Sequence, residues 1–154
     1  MTGIYYADLF QINGCGCLIM GHGKTKACVS LLEDPAGMIM NDSIRLEYSD
    51  NELLGYGDAT MGLLPDMLLT DSVEIKYLIY MDSEEETQTS EIVQISKDKF
   101  CTLAKSNIVC GVCDKLAREN EFRLLIDNSD VICIEVPWCE SEMSKGELIR
   151  QYIK

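Results

Sequence analysis

The sequence predicts an α+β fold, with mostly antiparallel strands and hairpins in the first two thirds and helices in the last third. Three observations predict it. Short apolar or alternating runs, bounded by Gly, Asn, Asp and Pro, dominate the chain as far as Ser96. Apolar residues spaced three and four apart begin only beyond that point. The size and composition, 154 residues at 47% apolar with three prolines, suit one folded domain over residues 1–154 and exclude a disordered or collagen-like chain.

In chain order, Ala27–Leu32 and Ser43–Tyr48 read as strands, the second alternating apolar and charged residues at period two. Leu53 to Leu69, broken by Gly55, Gly57, Gly62 and Pro65, reads as a long loop. Val73–Met81 and Glu91–Ser96 flank an acidic segment and read as a hairpin with that segment at its tip. From Lys97 to Glu119, Phe100, Leu103, Ala104, Ile108, Val112 and Leu116 recur at helical spacing, which predicts one long helix or two abutting ones. Phe122–Ile126 and Val131–Val136 flank Asp127-Asn128-Ser129-Asp130 and read as a second hairpin, closed by Pro137. Ser144 and Glu147 fit a capping box for a last helix carrying Leu148, Ile149 and Tyr152 on one stripe.

The chain carries 13 basic and 26 acidic side chains, a net charge of −13 spread over both halves. Solubility of a small domain needs a magnitude of only about 2–8. The excess repels nucleic acid and anionic lipid, so neither is expected as a direct partner, and it would steer the chain toward a basic protein. The densest patch, Asp82, Glu84, Glu85, Glu86 and Glu91, reads as a solvated loop or as the contact with that partner. No apolar run approaches the ~18 residues of a membrane span, and the first residues lack the pattern of a secretory signal, so a cytoplasmic location is expected.

Eight cysteines are many for this length. Without a secretory signal, reduced thiols or metal ligands are better readings than disulfides. Cys101, Cys110, Cys133 and Cys139 sit among apolar neighbours and read as core thiols. Cys15, Cys17, His22 and Cys28 form C-x-C-x4-H-x5-C around the single histidine of the chain. Zinc takes four thiolate or imidazole ligands, and such short spacings let one ribbon supply them. This window resembles the retroviral-type zinc knuckle, C-x2-C-x4-H-x4-C, including the glycine before the histidine, and departs from it at two gaps. The competing reading is a plain hairpin with Cys17–Met20 and Ala27–Leu32 as its strands. Cys110-Gly111-Val112-Cys113 is a second candidate for zinc, or a redox pair, or two helix-borne core thiols.

Catalytic motifs are scarce. Gly23-Lys24-Thr25 matches the end of G-x-x-x-x-G-K-[ST], but position 18, where that spacing needs glycine, is Leu18, which argues against a nucleotide site. A cysteine–His22 nucleophile pair would compete with zinc for the imidazole. No enzyme is therefore expected. The overall profile is similar in type to phage-type anti-CRISPR inhibitors and bacterial immunity proteins. That resemblance implies a nuclease or CRISPR effector as partner, in the host cytoplasm, and a structural zinc. The function expected is an acidic, zinc-containing inhibitor that occupies the basic surface of a nucleic-acid-handling protein. The alternatives are a thiol or redox enzyme using Cys110 and Cys113 or a cysteine–His22 pair, and a regulatory domain with core cysteines.

Overall fold

The computed structural model describes residues 3–21, 37–40, 44–57, 72–83, 91–137 and 145–153. Among them, nine strands form one curled mixed sheet with three α-helices: β1 (Gly3–Tyr5), β2 (Asp8–Ile12), β3 (Cys15–Gly21), β4 (Gly37–Met40), β5 (Ile44–Ser49), β6 (Glu52–Gly57), β7 (Val73–Ser83), β8 (Val93–Ile95), α1 (Lys97–Leu103), α2 (Lys115–Asp127), β9 (Ile132–Pro137) and α3 (Lys145–Tyr152). The α+β expectation holds, with two helices in the last third.

The strand order is β1-β5-β6-β7-β3-β2-β4, with β9 also on β7 and β8 on β9. Most pairings are antiparallel, as expected; β3·β7 and β7·β9 are parallel. The eleven-residue β7 joins the two parts of the sheet. Val73 and Glu74 pair with β6, while Tyr77 to Ser83 pair with β9. Both faces of β3, β7 and β9 are covered. On one face Leu18, Met20, Leu78, Tyr80 and Cys133 pack with Phe100 of α1 and Phe122 of α2. On the other, Cys17, Ile19, Ile79, Met81, Ile134 and Val136 pack with Ile149 and Ile153. Burial on both faces is why these strands read as continuous apolar runs rather than alternating ones.

Several expected elements are corrected. Phe122–Ile126 is helix, not strand, because Phe122 and Ile126 lie one turn apart on the buried face of α2. Phe122 packs on Tyr5, with ring centroids 5.0 Å apart, and on Phe100, at 6.3 Å. Asp127-Asn128-Ser129-Asp130 therefore closes a helix. Asn128 donates its backbone N–H and its Nδ2 to Leu124 O, at 3.1 and 2.9 Å, and the Ser129 hydroxyl donates to Leu125 O, so the last carbonyls of the helix are satisfied.

The expected hairpin of β7 and β8 is not formed either, because β9 lies between them. Cys133, Ile134 and Val136 are buried and suit an interior strand, whereas Val93 and Gln94 are exposed and suit an edge. The helical run from Lys97 is interrupted after a 3-10 turn at Ala104–Asn107. There Tyr6 N–H donates to Asn107 O at 2.6 Å, Val109 N–H donates to Ile4 O at 3.1 Å, and Ile108 bridges to Tyr5. Strand β1 thus takes the hydrogen bonds that a continuous helix would need. Within the expected loop, Leu53 to Gly57 belong to strand β6, since β5 and β7 pair with it on either side. The strand expected at Ala27–Leu32, and the remainder of the central loop from residue 58, lie outside the described residues. Strand β5 and helix α3 agree with expectation.

Candidate functional site at the carboxyl edge of the parallel strands

In sheets with parallel strands, ligands bind outside the carboxyl ends, where the connecting loops diverge. Here those ends lie side by side. Gly21 of β3 is in register with Met81 of β7, which is in register with Val136 of β9. Gly21 has φ +102°, and a Cβ there would collide with the backbone oxygen of Met81 and come within 2.9 Å of its nitrogen. The strand therefore leaves the sheet through a residue that only glycine can supply at that distance from β7. His22, Gly23, Lys24 and Thr25 follow in the sequence and lie outside the described residues.

Two buried carboxylates flank this edge on opposite faces. Asp8 of β2, in register with Ile19, is 1% exposed. Glu135 of β9, in register with Tyr80, is also 1% exposed, and Lys99 Nζ of α1 lies 2.9 Å from its Oε2. A carboxylate so desolvated needs such a cation close by. Tyr80 packs edge-on to Phe100, with centroids 6.5 Å apart, beneath the same helix.

Of the expected zinc ligands, Cys15 and Cys17 share one face of β3, two residues apart. Their hairpin partner is β2, through a turn at Asn13 and Gly14. Cys17 is fully buried among Phe10, Ile12 and Ile19. Its thiol donates to Cys15 O at 3.5 Å, and burial, with Cys15 nearby, pushes its pKa up to about 12. His22 and Cys28 lie outside the described residues. Cys110 and Cys113 are not helix-borne core thiols; both are exposed, the first in an extended segment and the second in a 3-10 turn. Cys101 and Cys133 are buried as expected, and Cys139 lies outside the described residues. Of the acidic patch, Asp82 is on β7 and Glu91 is exposed, while Glu84, Glu85 and Glu86 lie outside the described residues.

A groove of roughly 600 Å³ runs along α2 and β5, lined by residues including Tyr48, Ala117, Arg118, Glu121 and Leu124. Within it Arg118 pairs with Glu121 Oε2 at 2.8 Å and Tyr48 donates to Asn51 at 3.0 Å, while Glu121 Oε1 is buried without a hydrogen-bond partner among the described residues. The groove lies apart from the parallel strand ends, and the carboxyl edge is taken as the candidate site because the strand ends converge there. Sequence reading weighed Gly23-Lys24-Thr25 and argued against a nucleotide site on the ground of Leu18, and it did not foresee that the carboxyl ends of β3, β7 and β9 lie side by side.

No family model matches the chain, and no curated protein matches it. Among solved structures, it is similar to the Hpr(Ser) kinase/phosphatase from Coxiella burnetii, at 15% sequence identity and a TM-score of 0.56, covering 97% of this chain and 95% of that one. The likeness shows a shared fold. The expectation of an acidic, zinc-containing inhibitor is corrected by this finding, since the solved structure that shares the fold is described as a kinase/phosphatase. In addition, no group of three or more His, Cys, Asp or Glu that could hold a metal ion occurs among the described residues. No helix among the described residues is long and apolar enough to cross a membrane.

Proposed function

We propose that the chain is a phosphoryl-transfer enzyme of the kinase/phosphatase type, holding a nucleoside triphosphate with Mg²⁺ at the carboxyl end of β3. One observation carries the reading: β3, paired in parallel with β7, ends at Gly21 and runs directly into His22-Gly23-Lys24-Thr25. A strand, a glycine-rich turn and Lys-Thr are the parts from which a phosphate cradle is made. Backbone N–H groups and the lysine meet the phosphates, and the hydroxyl meets the magnesium ion.

The spacing departs from the usual motif. Leu18, where the usual motif would need glycine, is fully buried inside β3 and belongs to the sheet. The connection from Gly21 to Lys24 is therefore shorter than in the common motif. On this reading Lys24 carries a larger share of phosphate recognition than the lysine of the common motif. The shared fold supports the reaction class, and the serine in the neighbour's name supports a serine-type hydroxyl as the acceptor.

The test is calorimetric titration of the full chain with Mg·ATP, Mg·GTP and pyrophosphate. Saturable binding is expected for at least one of them. Lys24→Ala should weaken it about tenfold or more at unchanged melting temperature, since a charge-assisted hydrogen bond contributes about 1.5–3 kcal/mol. Absence of saturable binding to all three would overturn the reading.

A further inference from the structure

The two exposed cysteines take no part in the proposed phosphate site, and they do not rest on it. Cys110 ends the segment that clasps β1, just after the Ile108–Tyr5 bridge and the Val109 N–H bond to Ile4 O. Cys113 lies three residues on, in the 3-10 turn Val112–Asp114 that leads into α2. The motif therefore spans the junction between an extended segment and a helix start. We propose that Cys110 and Cys113 are a modification site, an accessible dithiol that closes to a disulfide by exchange with a low-molecular-weight disulfide such as oxidised glutathione. This modifies the chain itself and is not a turnover.

Access and selectivity both support it. Among the described cysteines, Cys17, Cys101 and Cys133 are buried and Cys15 is half-buried, whereas Cys110 and Cys113 are exposed. Burial pushes the Cys133 thiol up to about 12 and the Cys101 thiol to about 11, which keeps both as unreactive thiols at neutral pH. Between the pair, Gly111 is extended, with φ −72° and ψ 160°, and Asp114 N–H donates to Gly111 O at 3.1 Å. Ring closure needs the Cα atoms within about 4.4–6.8 Å, and Gly111 between the two cysteines, with no Cβ, leaves the backbone the freedom to adjust toward that range. Space there is open, since a Cβ on Gly111 would meet only Asp114 Oδ2, at 4.0 Å.

The exchange is balanced in two steps. One cysteine thiolate attacks a sulfur of oxidised glutathione, forming a mixed disulfide and expelling one glutathione thiolate. The second cysteine thiolate then attacks the protein sulfur of that mixed disulfide and expels the other glutathione. Both protein thiols lose their protons to water, the dithiol is oxidised by two electrons, and oxidised glutathione is reduced to two thiols. The bond formed would tie the segment on β1 to the start of α2, which Tyr5 and Phe122 already join by ring contact.

The full chain is incubated with oxidised glutathione, quenched in acid, labelled with a maleimide and mapped by peptide mass spectrometry. The expected product has lost the mass of two hydrogens, with Cys110 and Cys113 both protected and both recovered after dithiothreitol. Cys110→Ser and Cys113→Ser should each instead retain one glutathione on the remaining thiol, with wild-type melting under reducing conditions. Stable glutathione on the wild-type pair without ring closure, no reaction at either residue, or a disulfide mapped to another pair such as Cys15 and Cys17 would overturn the proposal.

Discussion

Replacing Gly16 by alanine tests the parallel pairing of β3 with β7, on which the carboxyl edge depends. Gly16 is in register with Ile75, at a slip in the ladder before Cys17. A Cβ at this position would fall on the backbone oxygen of Glu74, 2.9 Å from its carbonyl carbon and 2.8 Å from Val73 Cγ1. Two of these three atoms are backbone of a strand held on both edges, so no side-chain rotation relieves the clash. Overpacking of this kind costs about 1–3 kcal/mol, and parting the strands there forfeits one or two ladder bonds worth about 0.5–1.5 kcal/mol each. The sum is about 1.5–6 kcal/mol, or a melting temperature lower by about 3–24 °C for a chain of this size. Gly14→Ala is the control. Its φ is +80° and no atom lies within 4 Å of the added methyl, so it should cost only the left-handed penalty of about 1–2 kcal/mol. Urea unfolding followed by circular dichroism gives both values from the midpoints, provided the slope is unchanged. If Gly16→Ala lies within about 0.5 kcal/mol of wild type, the size expected of a harmless surface change, β3 does not pack on β7 in this register. The same conclusion follows if Gly14→Ala proves the more damaging.

Three further outcomes follow from the packing. Lys99→Ala should lower stability by about 1–3 kcal/mol by leaving Glu135 buried without its cation, and Glu135→Gln in that background should restore much of the loss in urea titrations. Cys17 and Cys133, raised from 9.0 to about 12, and Cys101, raised to about 11, stay protonated in the fold while the unfolded chain ionises; their stabilisation is complete below pH 9 and lost as pH rises toward 11–12, so melting temperature should fall across that range and Cys17→Ala should fall less steeply. Tyr5 is fully buried and its hydroxyl has no hydrogen-bond partner among the described residues, so Tyr5→Phe should leave stability unchanged or raise it by about 1 kcal/mol while keeping the ring contact with Phe122; a thermal melt showing a loss above about 1 kcal/mol would mean the hydroxyl is engaged.

Period-two alternation was legible where a strand has one solvated face, as in β5, where Ile44 and Leu46 are buried and Glu47 is exposed. It failed where both faces are covered. In β3, Cys17 to Met20 face two different cores, so the run carries no period from which to infer its neighbours. The segment Phe122–Ile126 failed for the opposite reason. Five residues without alternation, next to a turn-rich tetrapeptide, fit a strand or a helix end equally, and what decides between them is the distant Tyr5 and Phe100 against which Phe122 packs. The position of β9 between β7 and β8 is a topological fact, and short-range patterns carry no information about it. The exposed state of Cys110 was hidden likewise, because its apolar neighbours Ile108 and Val109 serve the edge of β1 rather than a helix core.

The expectation of a basic partner rests on net charge, and Leu18 is what speaks against a nucleotide site; of the two, charge has the narrower reach. A net charge of −13 argues against a polyanion such as nucleic acid, whose affinity grows with each phosphate contacted over a long surface. It says little about one nucleotide at one loop. At physiological salt the Debye length is about 8 Å, so most exposed carboxylates of the chain are screened from a given phosphate. Backbone dipoles and a lysine at contact distance act inside that range, and a phosphate that arrives with magnesium brings part of its own neutralisation. Global charge therefore bears on macromolecular partners, whereas a small anionic ligand is decided by what stands at the end of one strand. On the reading proposed above, that is the Gly-His-Gly-Lys-Thr sequence beginning at Gly21, the last residue of β3.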